Sequence, residues 1–332
     1  MADLTTRIVG DRARVCSQLL DRLPARGSGS VLSAYSSGFN ISVGEELLYM
    51  GSTDRALSCT GAAVSARERN VLRARARPGD LVTLRDRVVR VYDRLGVTEI
   101  DLSGFEPVDL SLASIRSAAI DDEARTALIR CLDELDLATT IGIARDARLR
   151  EHLHRLADPD SSSAGIARGV EFLLGRGAGL TPSGDDVLMG LGVARWLQRR
   201  ETRLIDAISR SGLDRTTPVS RAYLRALIAG AANENYIDLG RAVAAAQTER
   251  FGGLIKSIRA VGHTSGSDSL LGFALGWGLD VDRLLSTKPQ RTHSGCRAST
   301  SDGSIASPGA FRVVRGTRMN RMCTRSGIYH LA

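Results

Sequence analysis

The chain has 332 residues, enough for one large domain or two modest ones, and at 43% hydrophobic it can build a sizeable core. Its net charge of +8 raises nucleic acid as a partner, but seven Arg and one Lys against a single acid after Ser286 hold almost all of that charge, so the body is nearly neutral and no nucleic acid is expected. No apolar run is long enough to span a bilayer and the first residues lack a signal-peptide pattern, so a cytoplasmic location without membrane contact is expected.

Arg12–Leu23 reads as a short amphipathic helix ended by Pro24, with Gly27-Ser28-Gly29-Ser30 as the loop after it, giving an N-terminal helix and loop over 1–27. Residues 28–112 have the texture of strands. Asn40–Val43, Glu46–Met50, Leu81–Leu84 and Val88–Tyr92 are β-prone and separated by Gly, Asp and Pro turns, Pro78-Gly79-Asp80 being the clearest. An antiparallel sheet or small barrel is expected there. After about Leu112 the period becomes helical, at Asp121–Leu135, Ala144–Leu156 and Ala164–Leu174. Six further helices follow, over Val187–Arg199, Leu204–Ser211, Val219–Ala232, Leu239–Arg250, Leu254–Val261 and Leu270–Leu279. The fold class is therefore α+β: a β-rich domain over 28–112, then a mostly α-helical domain over 113–285. Residues 286–332, rich in Ser, Arg and Gly, show no periodicity and read as a disordered tail.

Two stretches of the helical part share one pattern. Ser183-Gly184-Asp185-Asp186-Val187-Leu188-Met189-Gly190 aligns without a gap on Ser265-Gly266-Ser267-Asp268-Ser269-Leu270-Leu271-Gly272, as S-G-x-D-x-L-x-G. Thr181 and Thr264 stand just upstream, and glycines (Gly175, Gly177 and Gly179; Gly262) lead into each copy. Ser with an acid three residues on, before an apolar run, marks a helix start. A glycine-rich approach to a helix N-terminus suits a small anion. The helices that follow are apolar nearly all round and carry several glycines, so they are expected to be a buried pair whose N-terminal ends open on one pocket.

Asp185, Asp186, Asp268 and His263 are the candidates for chemistry. The acids either stabilise helix dipoles or meet in the pocket; His263 is either a general acid or base or a hydrogen-bonded structural residue. Gly177, Gly179, Thr181, Ser183, Gly184, Ser220, Thr264, Ser265 and Gly266 are candidates for holding the ligand. Glu234, in the polar knot Ala232-Asn233-Glu234-Asn235, is either a solvated loop residue or a site carboxylate. Three acids meeting in a pocket would be able to hold Mg²⁺ through waters, but no dedicated metal-ligand spacing supports it, so no metal site is assigned and the cofactor is unknown. The five scattered cysteines form no C-x-x-C pair, and neither a G-x-S-x-G serine nor a P-loop lysine occurs.

The block Gly177-Ala-Gly-Leu-Thr-Pro-Ser-Gly-Asp-Asp186, then Pro218-Val219-Ser220 with Tyr223-Leu224, then Gly262-His-Thr-Ser-Gly-Ser-Asp268, resembles a bacterial domain-of-unknown-function family. That family includes the AllH-type subunit of oxamate carbamoyltransferase, from anaerobic allantoin degradation. The resemblance covers about residues 28–285 and is strongest over 175–272. It implies a carbamoyltransferase-like complex with a FdrA-like subunit, itself similar to acyl-CoA synthetase subunits, and a third subunit. Such a complex exchanges a carbamoyl group between phosphate and oxamate, both small anions that paired helix N-termini suit. The alternative is a non-catalytic small-anion-binding or scaffold partner of the FdrA-like subunit.

Overall fold

Among the described residues, ten short strands between Thr5 and Val108, some alternating buried and exposed side chains and the central β4–β6 buried nearly throughout, hydrogen-bond into one curled mixed sheet, a half-barrel. The computed structural model describes residues 5–8, 12–115 and 120–287, so nearly all of the tail expected to be disordered lies outside the described residues. The strands are β1 (Thr5–Ile8), β2 (Arg14–Cys16), β3 (Arg26–Ala34), β4 (Phe39–Val43), β5 (Glu46–Ser52), β6 (Gly61–Val64), β7 (Leu81–Arg85), β8 (Val88–Asp93), β9 (Gly96–Asp101) and β10 (Glu106–Val108). Their order is β1-β9-β8-β7-β3-β4-β5-β6-β2-β10. The pairs β1/β9, β5/β6 and β2/β10 are parallel, and the other neighbours are antiparallel. Strand β3 is the bend of the sheet: Arg26–Ser30 pairs with β7, and after a register shift between Val31 and Ser33 the strand continues along β4.

Three local expectations are corrected. The helix expected over Arg12–Leu23 begins only at Ser17, because Val15 and Cys16, both fully buried, belong to β2 between β6 and β10; α1 is Ser17–Arg22. Gly27–Ser30 is strand, not loop, and Gly29 is needed there because a side chain would collide with the Ser42 carbonyl of β4. The β-rich stretch also contains a helix, α2 (Ala66–Arg75), opened by a capping box in which Ser65 accepts from the Glu68 N–H and Glu68 accepts from the Ser65 N–H. Its apolar face is nearly absent, with only Leu72 buried, so periodicity did not reveal it.

The helical region continues with α3 (Asp122–Asp133), α4 (Ala147–Ala157), α5 (Ser163–Leu173), α6 (Ser183–Leu197), α7 (Thr202–Arg210), α8 (Pro218–Ile228), α9 (Glu234–Ala244), α10 (Phe251–Arg259), α11 (Ser265–Gly276) and α12 (Val281–Leu285). Asp121, Asp146, Ser162 and Thr217 cap α3, α4, α5 and α8 with their side chains. The two repeat helices, α6 and α11, start differently. Ser183 and Ser265 are their first helical residues rather than caps, and Pro182 and Thr264, in the cap positions, make no side-chain cap bond. As expected of helices apolar all round, α6 and α11 are buried and pack on each other at the centre of the region.

Sheet and helices share one apolar core. The segment between α8 and α9 is stitched to the sheet side: Leu112 N–H donates to the Gly230 carbonyl, Ala232 N–H to the Leu110 carbonyl, and Cys59 N–H to Asn233 Oδ1. Glu234 takes both Arg14 (2.5 Å) and the Leu57 N–H (2.8 Å). Among the described residues no helix is long and apolar enough to cross a membrane.

Candidate functional site

Each repeat copy is a helix, a glycine turn and a second helix. Gly175, Gly177 and Gly179 all have positive φ, as does Gly262, so both turns follow a path that side chains disfavour. The turns fold back onto the helices they lead into. Gly184 N–H donates to the Arg176 carbonyl (2.8 Å), and its counterpart Gly266 N–H to the Val261 carbonyl (2.9 Å). A side chain at Gly184 would strike the end of α5 at Leu173, and one at Gly266 the end of α10 at Ile258. The likeness between the copies thus extends back to α5 and α10.

The polar groups of the two copies are exchanged. The Ser265 hydroxyl stands against Asp186, and the Ser183 hydroxyl against Asp268. Thr181 Oγ1 and Ser265 Oγ are hydrogen-bonded at 2.9 Å, tying the first turn to the second helix. Gly142 covers this junction: its N–H donates to Asp268 Oδ1 (2.9 Å), and a side chain there would collide with the Ser183 and Thr264 hydroxyls.

These N-terminal ends open on a cavity of about 750 Å³ between the helices and the β3–β4 side of the sheet. Gly179, Thr181, Ser183, Asp186, His263, Thr264, Ser265 and Gly266 line it, so eight of the sequence-selected residues come together. Asp268 lies just beneath, fully buried under Gly142. Gly177 backs onto Ser183 and Gly184 onto Leu173. Asp185 and Ser220 do not enter the cavity. Asp185 is fully buried and accepts from Gly175 N–H (2.8 Å), from Ser220 Oγ (2.7 Å) and from Thr216 Oγ1. It joins the glycine turn to α8. Glu234 is spent on the Arg14 and Leu57 ties and stays outside as well.

Burial dominates the titration of the acids. Asp186 is pushed up to about 8, chiefly by burial, with the neighbouring Asp268 charge adding to the rise and the Ser265 and Thr181 hydroxyls opposing it. Asp268 and Asp185 are also raised by burial, in spite of their hydroxyl and N–H partners. Asp186 Oδ2 and Asp268 Oδ2 are buried without a hydrogen-bond partner. Among the described residues no group of three or more His, Cys, Asp or Glu is gathered as a metal ion would require.

Part of the lining was not singled out from sequence. Asn40 and Tyr49 come from β4 and β5, Tyr35 from the turn after β3, and Asn235 and Tyr236 from α9; Tyr223 on α8, part of the motif that carries the resemblance, lines the cavity too. Asn235 is buried, and its Oδ1 has no partner. The signal for it was the polar knot after Ala232, where the carboxylate drew attention and the following amide is the group that reaches the cavity. The sheet residues had no signal, since only the fold brings β3, β4 and β5 beside the repeat.

Residues 173–277 match the family described as oxamate carbamoyltransferase subunit AllH. The match runs from the last residue of α5 to the residue after α11, so it contains both turns and both repeat helices. No solved structure matches the chain.

Proposed function

We propose that this chain is a subunit of an oxamate carbamoyltransferase-type complex, and that its cavity handles the small carboxamide and carboxylate groups of the reaction. The observation that carries this reading is the meeting of the two S-G-x-D helix starts, both inside the family match, on one cavity. In the reaction a C–N bond forms between the oxamate nitrogen and the carbamoyl carbon. The C–O bond to phosphate breaks, and the nitrogen gives up a proton. Positioning and charge stabilisation do most of this work, so no nucleophilic triad is required. The Ser and Thr hydroxyls of the two helix starts hold the ligands, and His263 or the Asp186–Asp268 pair moves the proton.

Among the described residues, none of the side chains lining the cavity is Lys or Arg. A cationic side chain for the phosphoryl group is proposed to come from another subunit, and the FdrA-like protein and a third subunit are the proposed partners, in the cytoplasm. The same scarcity of cationic groups favours a second reading, in which the chain binds a small metabolite or braces the FdrA-like subunit while chemistry happens there. Co-expression with the neighbouring genes, followed by an assay of phosphate-dependent carbamoyl transfer, tests both. Loss of turnover in His263→Asn or Asp186→Asn complexes that still assemble supports the first. Unchanged turnover in both variants, with tight co-purification, establishes the second. An assembled complex without carbamoyl transfer rejects the first.

A further inference from the structure

Four arginines from four different segments line one open cleft of about 660 Å³ on the surface. They are Arg148 of α4, Arg168 of α5, Arg176 of the first glycine turn, and Arg215 at the end of the short 3-10 turn before α8. Arginines elsewhere on the surface lie against carboxylates, as Arg150 does with Asp282, Arg155 with Glu151 and Arg241 with Asp238. Among the described residues, none of the four cleft arginines has a carboxylate within ion-pair distance, and Glu171 is the only acid in the lining. Two of the four are held in place by main-chain carbonyls. Arg176 Nε donates to the Phe172 carbonyl (2.9 Å), with the guanidinium 3.8 Å from the centre of the Phe172 ring, and Arg215 donates to the Glu171 carbonyl (3.3 Å). A guanidinium ordered in this way loses little freedom when it takes up a carboxylate. Arg148 and Arg168 are exposed.

We propose that this cleft is a docking site for an acidic segment of a partner subunit, whose carboxylates pair with Arg148, Arg168, Arg176 and Arg215. Its size and charge pattern favour a peptide over a phosphate. The cleft is much larger than a single anion fills, and guanidiniums on four segments are matched by several carboxylates spaced along a chain. Glu171 interrupts the positive field. It repels the closely spaced charges of a polyphosphate, whereas a peptide is able to set a main-chain N–H or a neutral side chain opposite it. The chain's own end has the wrong charge for the cleft, since the stretch after Ser286 carries seven Arg and one Lys against one acid. Gly175 and Arg176 line the cleft while Gly179 and Thr181 line the cavity, so a docked segment would bear on the turn that borders both. The choice of partner rests on the reading of the chain as one subunit of a complex; the cleft itself does not.

The test is fluorescence anisotropy of a labelled hexaglutamate peptide with the full chain, beside hexaglutamine and with tripolyphosphate as competitor. Hexaglutamate is expected to bind and hexaglutamine not, with an affinity that falls as ionic strength rises. Arg148→Glu and Arg168→Glu should each weaken binding by roughly tenfold or more. Arg67→Glu, the same charge change at an exposed position of α2, should alter it by less than about twofold. Thermal melting of each variant establishes that it is folded. In the complex co-expressed with the neighbouring genes, the Arg148→Glu, Arg168→Glu double variant should lose its partner where Arg67→Glu keeps it. No binding of hexaglutamate, or an equal loss in Arg67→Glu, overturns the proposal. So do displacement by tripolyphosphate at concentrations below those of unlabelled hexaglutamate, a homodimer that Arg148→Glu dissolves, and a complex indifferent to the double variant. If no complex forms while hexaglutamate binds and responds to the variants as expected, the acidic-segment site stands and the carbamoyltransferase reading falls.

Discussion

Gly190 of α6 and Gly272 of α11 hold equivalent places on opposite helices. A side-chain carbon on Gly190 would fall 2.7 Å from the carbonyl carbon of Ser269, and one on Gly272 would fall 2.8 Å from that of Val187. Ser269 and Val187 are themselves counterparts in the repeat, as the two glycines are. The crossing of the helices is therefore a local two-fold within a single chain. Backbone meets backbone there, and nothing flexible is available to move aside.

The first prediction concerns this crossing. Gly190→Ala and Gly272→Ala should each destabilise the protein by roughly 1–3 kcal/mol or more, although alanine favours helix elsewhere. Gly252→Ala on α10, where a side chain meets nothing within 4 Å, should be neutral or mildly stabilising. Denaturant midpoints of the three variants check this. Wild-type stability in both repeat variants would mean that the helices are not in backbone contact.

A second prediction concerns pH. With Asp186 raised to about 8 from 3.8, the folded protein keeps a proton that the unfolded chain releases above about pH 4. The contribution is fully present below about pH 4, falls as pH rises, and levels off above about pH 8. Asp185 and Asp268, raised in the same direction, add to this slope. Asp186→Asn should therefore be more stable than wild type at pH 8, by an amount on the order of a few kcal/mol, and similar to it near pH 4. Unfolding curves across that range measure the difference, and parallel pH profiles for the two proteins would refute it.

A third prediction separates scaffold from site. Ser220→Ala removes one donor from buried Asp185 and should cost roughly 1–3 kcal/mol of stability while leaving ligand affinity unchanged. Ser265→Ala removes a hydroxyl that borders both the cavity and Asp186, and should weaken ligand binding more than it weakens the fold. Melting temperature and oxamate affinity, measured together on both variants, decide. Affinity loss in Ser220→Ala without loss of stability would move Asp185 into the site.

The fourth takes the two helix starts together. Asp186→Ala and Asp268→Ala should each weaken oxamate binding, with effects that do not add, because both carboxyls act at one junction. Additive losses, by calorimetry on the singles and the double, would make them independent.

Much of this was legible from local pattern. The repeated S-G-x-D word placed α6 and α11, their burial and their shared cavity, since helix period and glycine spacing are local properties. Parallel pairing of β5 with β6, or of β1 with β9, depends on contacts distant in sequence and leaves no signature in strands of four to seven residues. The acids show the same limit. Asp185 and Asp186 are adjacent and alike in the sequence, yet a helix turns successive side chains by about 100°, sending one onto Thr216 and Ser220 and the other into the cavity. Only the position of α8 tells them apart.

The backbone contact at Gly190 and Gly272 has a consequence for how the site accommodates different ligands. Two helices in carbonyl contact have no slack to slide or rock, so the Ser, Thr and Asp groups at their starts form a fixed floor. Variation in the shape of the cavity falls to the opposite wall, which is lined by side chains rather than by packed backbone: Asn40 on β4, Tyr49 on β5 and Tyr35 in the turn after β3. A change of acceptor is therefore expected to arise by substitution on the sheet side, with the helix pair kept as an invariant frame beneath it.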